Sequence, residues 1–275
     1  MSQSKVIAVY SYMLFFFQFM GLTYFSIGKS SFSTWYQKYR TLNFLSICVI
    51  LICTVIILIN EDNNESLVAF SKIYVAVAFV QIAGNCITAL CAVVNSFLQS
   101  NVEEKLFRKI DKIDDLMKST FLVEIPSKKC KLMSYLIIEV LFFIFRCAFR
   151  IAISVKAISY STFLVYGFTV LIMKLFIIKY FVFLELLKYR VQMFANIIGN
   201  FQSSQDKIAS TLQLKTVKRI HSLILDIVAL INECCGLTLL LCFVVLFISQ
   251  TNKTYILYLT IDNIYHEGLM IGEYC

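Results

Sequence analysis

The chain has 275 residues, of which 59% are hydrophobic and 15% charged, with 25 Phe and a formal net charge of +8. Its mean hydropathy is +0.78. Such a mixture excludes an ordinary water-soluble domain and points to an integral membrane protein, in which a basic excess has a topological meaning and calls for no nucleic acid.

In chain order, apolar stretches run over Ile7–Ile27, Leu42–Ile59, Val68–Leu98, Met133–Val155, Tyr160–Leu184 and Leu223–Ser249. A hydrocarbon core of ~30 Å takes about 20 helical residues to cross, and each stretch is near or above that length. The single Pro, Pro126, lies in a polar loop, so no span carries a proline kink. The first stretch is ambiguous. Lys5 and Lys29 flank it equally, and it either spans with the N-terminus outside or lies re-entrant with the N-terminus inside. No small-residue cleavage site follows it, which speaks against a signal peptide.

Lys and Arg cluster in alternate connections. Segment 28–41 holds Lys29, Lys38 and Arg40, while 99–132 runs from Lys105 to Lys131 and includes Arg108, Lys109, Lys112 and Lys118. Segment 185–222 holds Lys188, Arg190, Lys207, Lys215, Lys218 and Arg219. By contrast 60–67 has none, 156–159 only Lys156 and 250–255 only Lys253. The positive-inside rule puts the basic segments in the cytoplasm, joined by five crossings at about 42–59, 68–98, 133–155, 160–184 and 223–249. The sequons at Asn64 and Asn252 both fall on the expected outer side, making them glycosylation candidates close to the membrane.

The cytoplasmic connections carry helical periodicity. Val102, Leu106, Ile110, Ile113, Met117 and Phe121 recur at three- and four-residue steps, with Glu104/Arg108 and Asp114/Lys118 at i,i+4. This predicts an amphipathic helix continuing the third stretch, either lying on the inner leaflet or packing against other cytoplasmic helices. Ile220, Leu223, Ile227 and Leu230 likewise lead helically into the last span.

Polar residues inside spans are costly in hydrocarbon and face protein or water. Gln81, Asn85, Thr88 and Asn95 share one helical face, as do Glu139, Arg146 and Arg150. Interhelical bonding and ligand contact are both open to these groups. Gln81, Asn85, Arg146 and Arg150 are the candidate ligand-binding residues, on intramembrane polarity alone. Glu139 and Lys174 are read as structural intramembrane charges, and Lys179, near the inner boundary, as a side chain that snorkels. The ten Cys are scattered without a CxxC or a Cys/His pair at metal spacing. They read as small apolar residues, with no metal, disulfide framework or cofactor called for. No GxSxG, HExxH, Walker or GxGxxG motif occurs, so an enzyme is not expected. One Pro and eight Gly do not provide the broken spans of a secondary transporter.

The run from Ile220 through Asp226, Asn232 and Gly236 to Leu240 resembles the fifth-span region of insect gustatory receptors, with its leucine-rich helix, Ile-Asn pair and Gly before a Leu run. Gly21-Leu22-Thr23-Tyr24-Phe25, followed by Ser33-Thr34-Trp35, is similar to that family's N-terminal segment. The resemblance implies an all-α, polytopic helical membrane protein with an inside N-terminus, five spans within residues 1–255 and Ile7–Ile27 as an extra membrane-embedded helix. It further implies a multi-pass plasma-membrane taste receptor, a subunit of a ligand-gated cation channel that detects small-molecule tastants and assembles as a homo- or hetero-oligomer, a tetramer in the family. The family's closing Thr-Tyr plus Gln-Phe mark is missing from 256–275, so the chain is expected to be a form that stops after its fifth span and lacks the pore helix. The competing expectations are a non-conducting partner or decoy subunit of full-length receptors, and a small transporter.

Overall fold

The computed structural model describes residues 13–24, 31–61, 72–122, 134, 137–145, 160–201 and 207–273, and every regular element among them is helical. The long helices are α1 (Ser31–Glu61), α2 (Lys72–Leu98), α3 (Ser100–Phe121), α4 (Tyr160–Phe201) and α5 (Lys207–Glu273). Shorter helical pieces cover 13–19 and 137–145. The protein is an all-helical membrane protein.

Two stretches among the described residues are long and apolar enough to cross a bilayer, Val80–Leu98 and Gln213–Tyr255, and a shorter apolar run covers Tyr39–Cys53. Leu42, Leu45, Val49 and Ile52 of α1, and Leu237, Leu240, Phe243 and Phe247 of α5, are exposed at the surface of the bundle. An outward face of that composition suits acyl chains and would be a liability in water.

The N-terminal stretch is interrupted. Its helical residues end at 19, and the chain turns through Met20 and Gly21, the latter at φ +70°. A Cβ there would meet the Ile47 side chain and come within 2.8 Å of the Tyr24 hydroxyl, so both conformation and space call for Gly. Met13, Leu14, Phe17, Leu22 and Tyr24 are buried.

α2 and α3 form an almost continuous rod bent at Gln99. The bend keeps its hydrogen bonds, with Gln99 N donating to Asn95 O at 2.8 Å and Glu103 N to Gln99 O at 3.0 Å. α3 buries Leu106, Ile110, Ile113 and Met117, with Val102 and Phe121 partly buried against the same core. Its apolar face therefore packs on other helices rather than on a leaflet, chiefly on α5. α3 ends at Leu122, a left-handed residue at φ 53°.

α4 and α5 are longer than the expected spans. α4 has 42 residues and α5 has 67, or roughly 63 and 100 Å at 1.5 Å per residue. The basic segment 185–222 is thus mostly helical, and the segment after Tyr255 continues α5 to Glu273.

Candidate functional site

Gln81, Asn85, Thr88, Ala92 and Asn95 form a stripe along α2, buried apart from the half-buried Asn95. Facing it on α5 lie Cys235, Thr238, Cys242, Val245, Ser249 and Asn252. Both stripes step by three and four residues, and the helices run antiparallel. Asn95 Nδ2 donates to Cys234 O at 2.6 Å at one end, and Gln81 Nε2 donates to Ser249 Oγ at 2.9 Å at the other. Between them a Cβ on Gly84 would stand 3.2 Å from Val245 Cγ2, so the backbones approach closely. Small residues and side-chain amides are what hold helices together where lipid offers no hydrophobic drive.

The Gln81 end is the polar one. Asn252 Nδ2 donates to Gln81 Oε1 at 2.8 Å, so the Gln81 amide bridges two residues of α5. Asn85 is 2% exposed with its Nδ2 lacking a protein partner, and the Oδ1 of Asn252 is in the same state. One unsatisfied donor and one unsatisfied acceptor remain in the same uncharged seam, and each such group costs about 1–3 kcal/mol unless something binds it. Asn252 itself is buried, and the nitrogen that a glycan would occupy is turned into the bundle. For Asn252, a glycosylation candidate by its sequon, that burial and bonding leave the acceptor nitrogen facing Gln81 in this arrangement. Asn64, Arg146 and Arg150 lie outside the described residues.

Glu139 and Lys174 meet. Lys174 Nζ donates to Glu139 Oε2 at 2.6 Å, with each side chain about a third exposed, and the ammonium stands 6.0 Å from the Phe142 ring centre. The pair joins the helical segment 137–145 to α4.

Lys179 departs from expectation. It does not snorkel; its side chain is 1% exposed and ion-pairs with the equally buried Glu103 of α3. The same ammonium donates to the carbonyl of Leu22 and to Ser96 Oγ at 3.3 Å, and it stands 5.7 and 5.9 Å from the ring centres of Phe176 and Phe183. Glu103 Oε2 has no protein partner. Burial pushes the Glu103 carboxyl above its ordinary range, and the charge and hydrogen bond of Lys179 offset that in part. Farther along the same helices, Arg190 grips Asp114 with two bonds, Nε to Oδ1 at 2.9 Å and Nη2 to Oδ2 at 2.7 Å. Desolvation raises the Asp114 carboxyl despite that partner. Lys109 Nζ pairs with Asp226 Oδ2 at 2.5 Å, tying α3 to α5.

Sequence reasoning found the α2 half of the seam from the spacing of its polar residues and missed the α5 half. Cys, Val and Ser at heptad spacing look like any apolar helix. It also missed Glu103, which the periodicity assigns to a charged face. The one available signal was that Glu103 precedes Leu106 by three residues, on the edge of the buried stripe. Among the described residues no cluster of His, Cys, Asp and Glu has the makings of a metal site.

No curated protein matches the chain. No solved structure matches it. A family model for the 7tm chemosensory receptors matches residues 10–274, which takes in all the described helices, the buried N-terminal segment and the whole of the α2–α5 seam. With that match running over nearly its entire length, the chain belongs to the 7tm chemosensory receptor family.

Proposed function

We propose that this receptor is of the gustatory type, a multi-pass plasma-membrane subunit of a ligand-gated cation channel that responds to small-molecule tastants. The observation that carries the reading is the chemosensory family match over residues 10–274. The buried, uncharged seam between α2 and α5 adds to it, since its unpaired Asn85 donor and Asn252 acceptor are groups an uncharged hydrogen-bonding ligand would satisfy. Gln81 and Asn85 are the ligand contacts in this reading, with Arg146 and Arg150 retained as contacts from the neighbouring span.

The same reading keeps an inside N-terminus and five crossings and shifts the last one outward. Asp226 is tied to Lys109 of α3, and the charge-free part of α5 runs from 234 to 252, bounded by Glu233 and Lys253. The crossing then sits near 234–252 rather than 223–249, and Ile220, Leu223, Ile224 and Ile227 bury against α3 in the cytoplasm. Oligomerisation with copies or relatives supplies the conducting pathway.

Recording from cells that express the chain, alone and together with another family member, tests this. The expected outcome is a tastant-evoked cation current whose half-maximal concentration rises about tenfold or more in Gln81→Ala and Asn85→Ala at unchanged surface expression, the loss of roughly one hydrogen bond. A chain that reaches the surface and alters the relative's response without conducting is a partner subunit, which overturns the channel part of the reading. A chain that neither conducts nor alters any response overturns the whole.

A further inference from the structure

Residues 13–24 are packed into the bundle more tightly than a leading segment needs to be. Leu14, Phe17, Leu22, Thr23 and Tyr24 are each at most 1% exposed. Three observations show where this strap is fastened. Asn43 Nδ2 of α1 donates to Gln18 O at 3.0 Å. The Tyr24 ring meets Phe44 of α1 and Phe97 of α2 edge-on, at centroid distances of 6.2 and 5.2 Å, and those two rings stack at 4.4 Å. Lys179 of α4 donates to the carbonyl of Leu22, just past the Gly21 turn.

The Lys179 contact differs in kind from the other two. The same ammonium also reaches Ser96 on the last turn of α2 and Glu103 on the first turn of α3. These two residues bracket Gln99, where the α2–α3 rod bends. One buried cation therefore holds the strap and both sides of the bend together. The site is dry, so each of its three acceptors is worth more than it would be in water, and removal of the cation leaves a carboxylate and a carbonyl without their donor.

We propose that residues 13–24 are a conformational strap whose docking on Lys179 sets the bend at Gln99, so that release of the strap frees α3 to change its angle to α2. Lys179 is the positioning residue of this device. Its third acceptor makes strap and bend a single cooperative unit: the Leu22 carbonyl completes the ammonium's coordination, and its departure weakens the hold on Ser96 and Glu103 together. This does not depend on what the receptor detects or on whether it conducts.

Hydrogen exchange on the chain purified in detergent tests the proposal, read separately on peptides covering 13–24, the bend at 95–104 and the distant seam around Gln81 and Ser249. In the unmodified chain the strap amides exchange slowly, those of Gly21 and Leu22 included, since they bond to Gln18 O at 3.1 Å and Phe17 O at 2.8 Å. In Lys179→Met, exchange rises about tenfold or more over both strap and bend and stays unchanged at the seam. Gly21→Ala serves as the second variant, because it distorts the turn that presents Leu22 while leaving Lys179, Ser96 and Glu103 in place; strap and bend loosen together there too. A strap that exchanges freely in the unmodified chain overturns the proposal, as does a strap that loosens in either variant while the bend does not. If Lys179→Met loosens the seam as well, the protein has lost its fold, and Gly21→Ala alone decides.

Discussion

The two arms of the bent rod, α2 and α3, both lean on α5 and do so by different chemistry. α2 presents Gln81, Gly84, Thr88, Ala92 and Asn95, small residues and neutral amides, to a matching stripe. α3 presents Leu106, Ile110, Ile113 and Met117, with Lys109 and Asp114 at the edges of that face. On the proposed topology the two arms meet different solvents, and the contrast fits that. In lipid the outside is as apolar as the inside, so close backbone approach and hydrogen bonds must hold the helices together. In water, burial of a Leu/Ile stripe supplies the drive, and the charges at its margin need only be tolerated.

The largest break in that comparison is expected at the junction of the arms. Lys179→Ala strands Glu103 in a dry site and should lower stability by about 3–5 kcal/mol, read by thermal unfolding in detergent. Next is Ile110→Ala in α3, fully buried, with an expected cost of about 2–5 kcal/mol that weakens on cooling as a hydrophobic contact does. In the α2 arm Gly84→Leu forces bulk against Val245 and should cost about 1–3 kcal/mol from overpacking. Smaller still is the amide contact itself. A double-mutant cycle on Gln81→Ala and Asn252→Ala should return a coupling of about 0.6 kcal/mol, at most ~1.7, as interhelical bonds in membranes do.

A pH dependence comes next, and its sign is informative. The Asp114 carboxyl is raised by burial, so the folded chain holds this proton more tightly than the unfolded one. Its contribution to stability is fully present below the ordinary Asp value of about 3.9 and is lost as pH climbs through the raised value. Relative to Asp114→Asn, the native chain should therefore lose stability as pH rises across that window, measured as the difference in melting temperature. The exposed Glu104–Arg108 pair gives a control. Arg108→Ala should change stability by less than about 0.5 kcal/mol, and that small change should vanish in high salt.

How legible these features were in the sequence divides along the same line. The centre of the α3 face, Leu106, Ile110, Ile113 and Met117, could be read, because an amphipathic helix writes its buried face as a 3.6-residue period of large apolar side chains, whereas the equally buried Glu103 and Phe107 at its edges could not. The polar stripe of α2 could also be read, since Gln and Asn are conspicuous among Val and Ala. α5 could not. Its faces between 234 and 252 are all largely apolar, so composition does not separate exposed Leu237 and Phe247 from seam-facing Cys242 and Val245, and the burial pattern exists only once α2 is in place. Within that helix Asp226 is held by Lys109 of α3, a contact that apolar periodicity over Ile220–Leu230 does not announce. Lys179 was misjudged for a related reason. A lysine near a span's inner end has two environments open to it, headgroups or a buried carboxylate, and local sequence does not reveal a partner 76 residues away.

α5 is a single uninterrupted helix of 67 residues, roughly 100 Å from end to end. The seam grips this rod from Cys234 to Asn252, across its midpoint, and α3 holds the part that precedes, so a tilt of the rod would act as a lever. Pivoted near its middle, a tilt of about 5° carries each tip by about 4 Å, roughly three-quarters of a helical turn. A molecule wedged beside Gln81 would have no need to relay its presence residue by residue, since the far tip of the beam would swing with it.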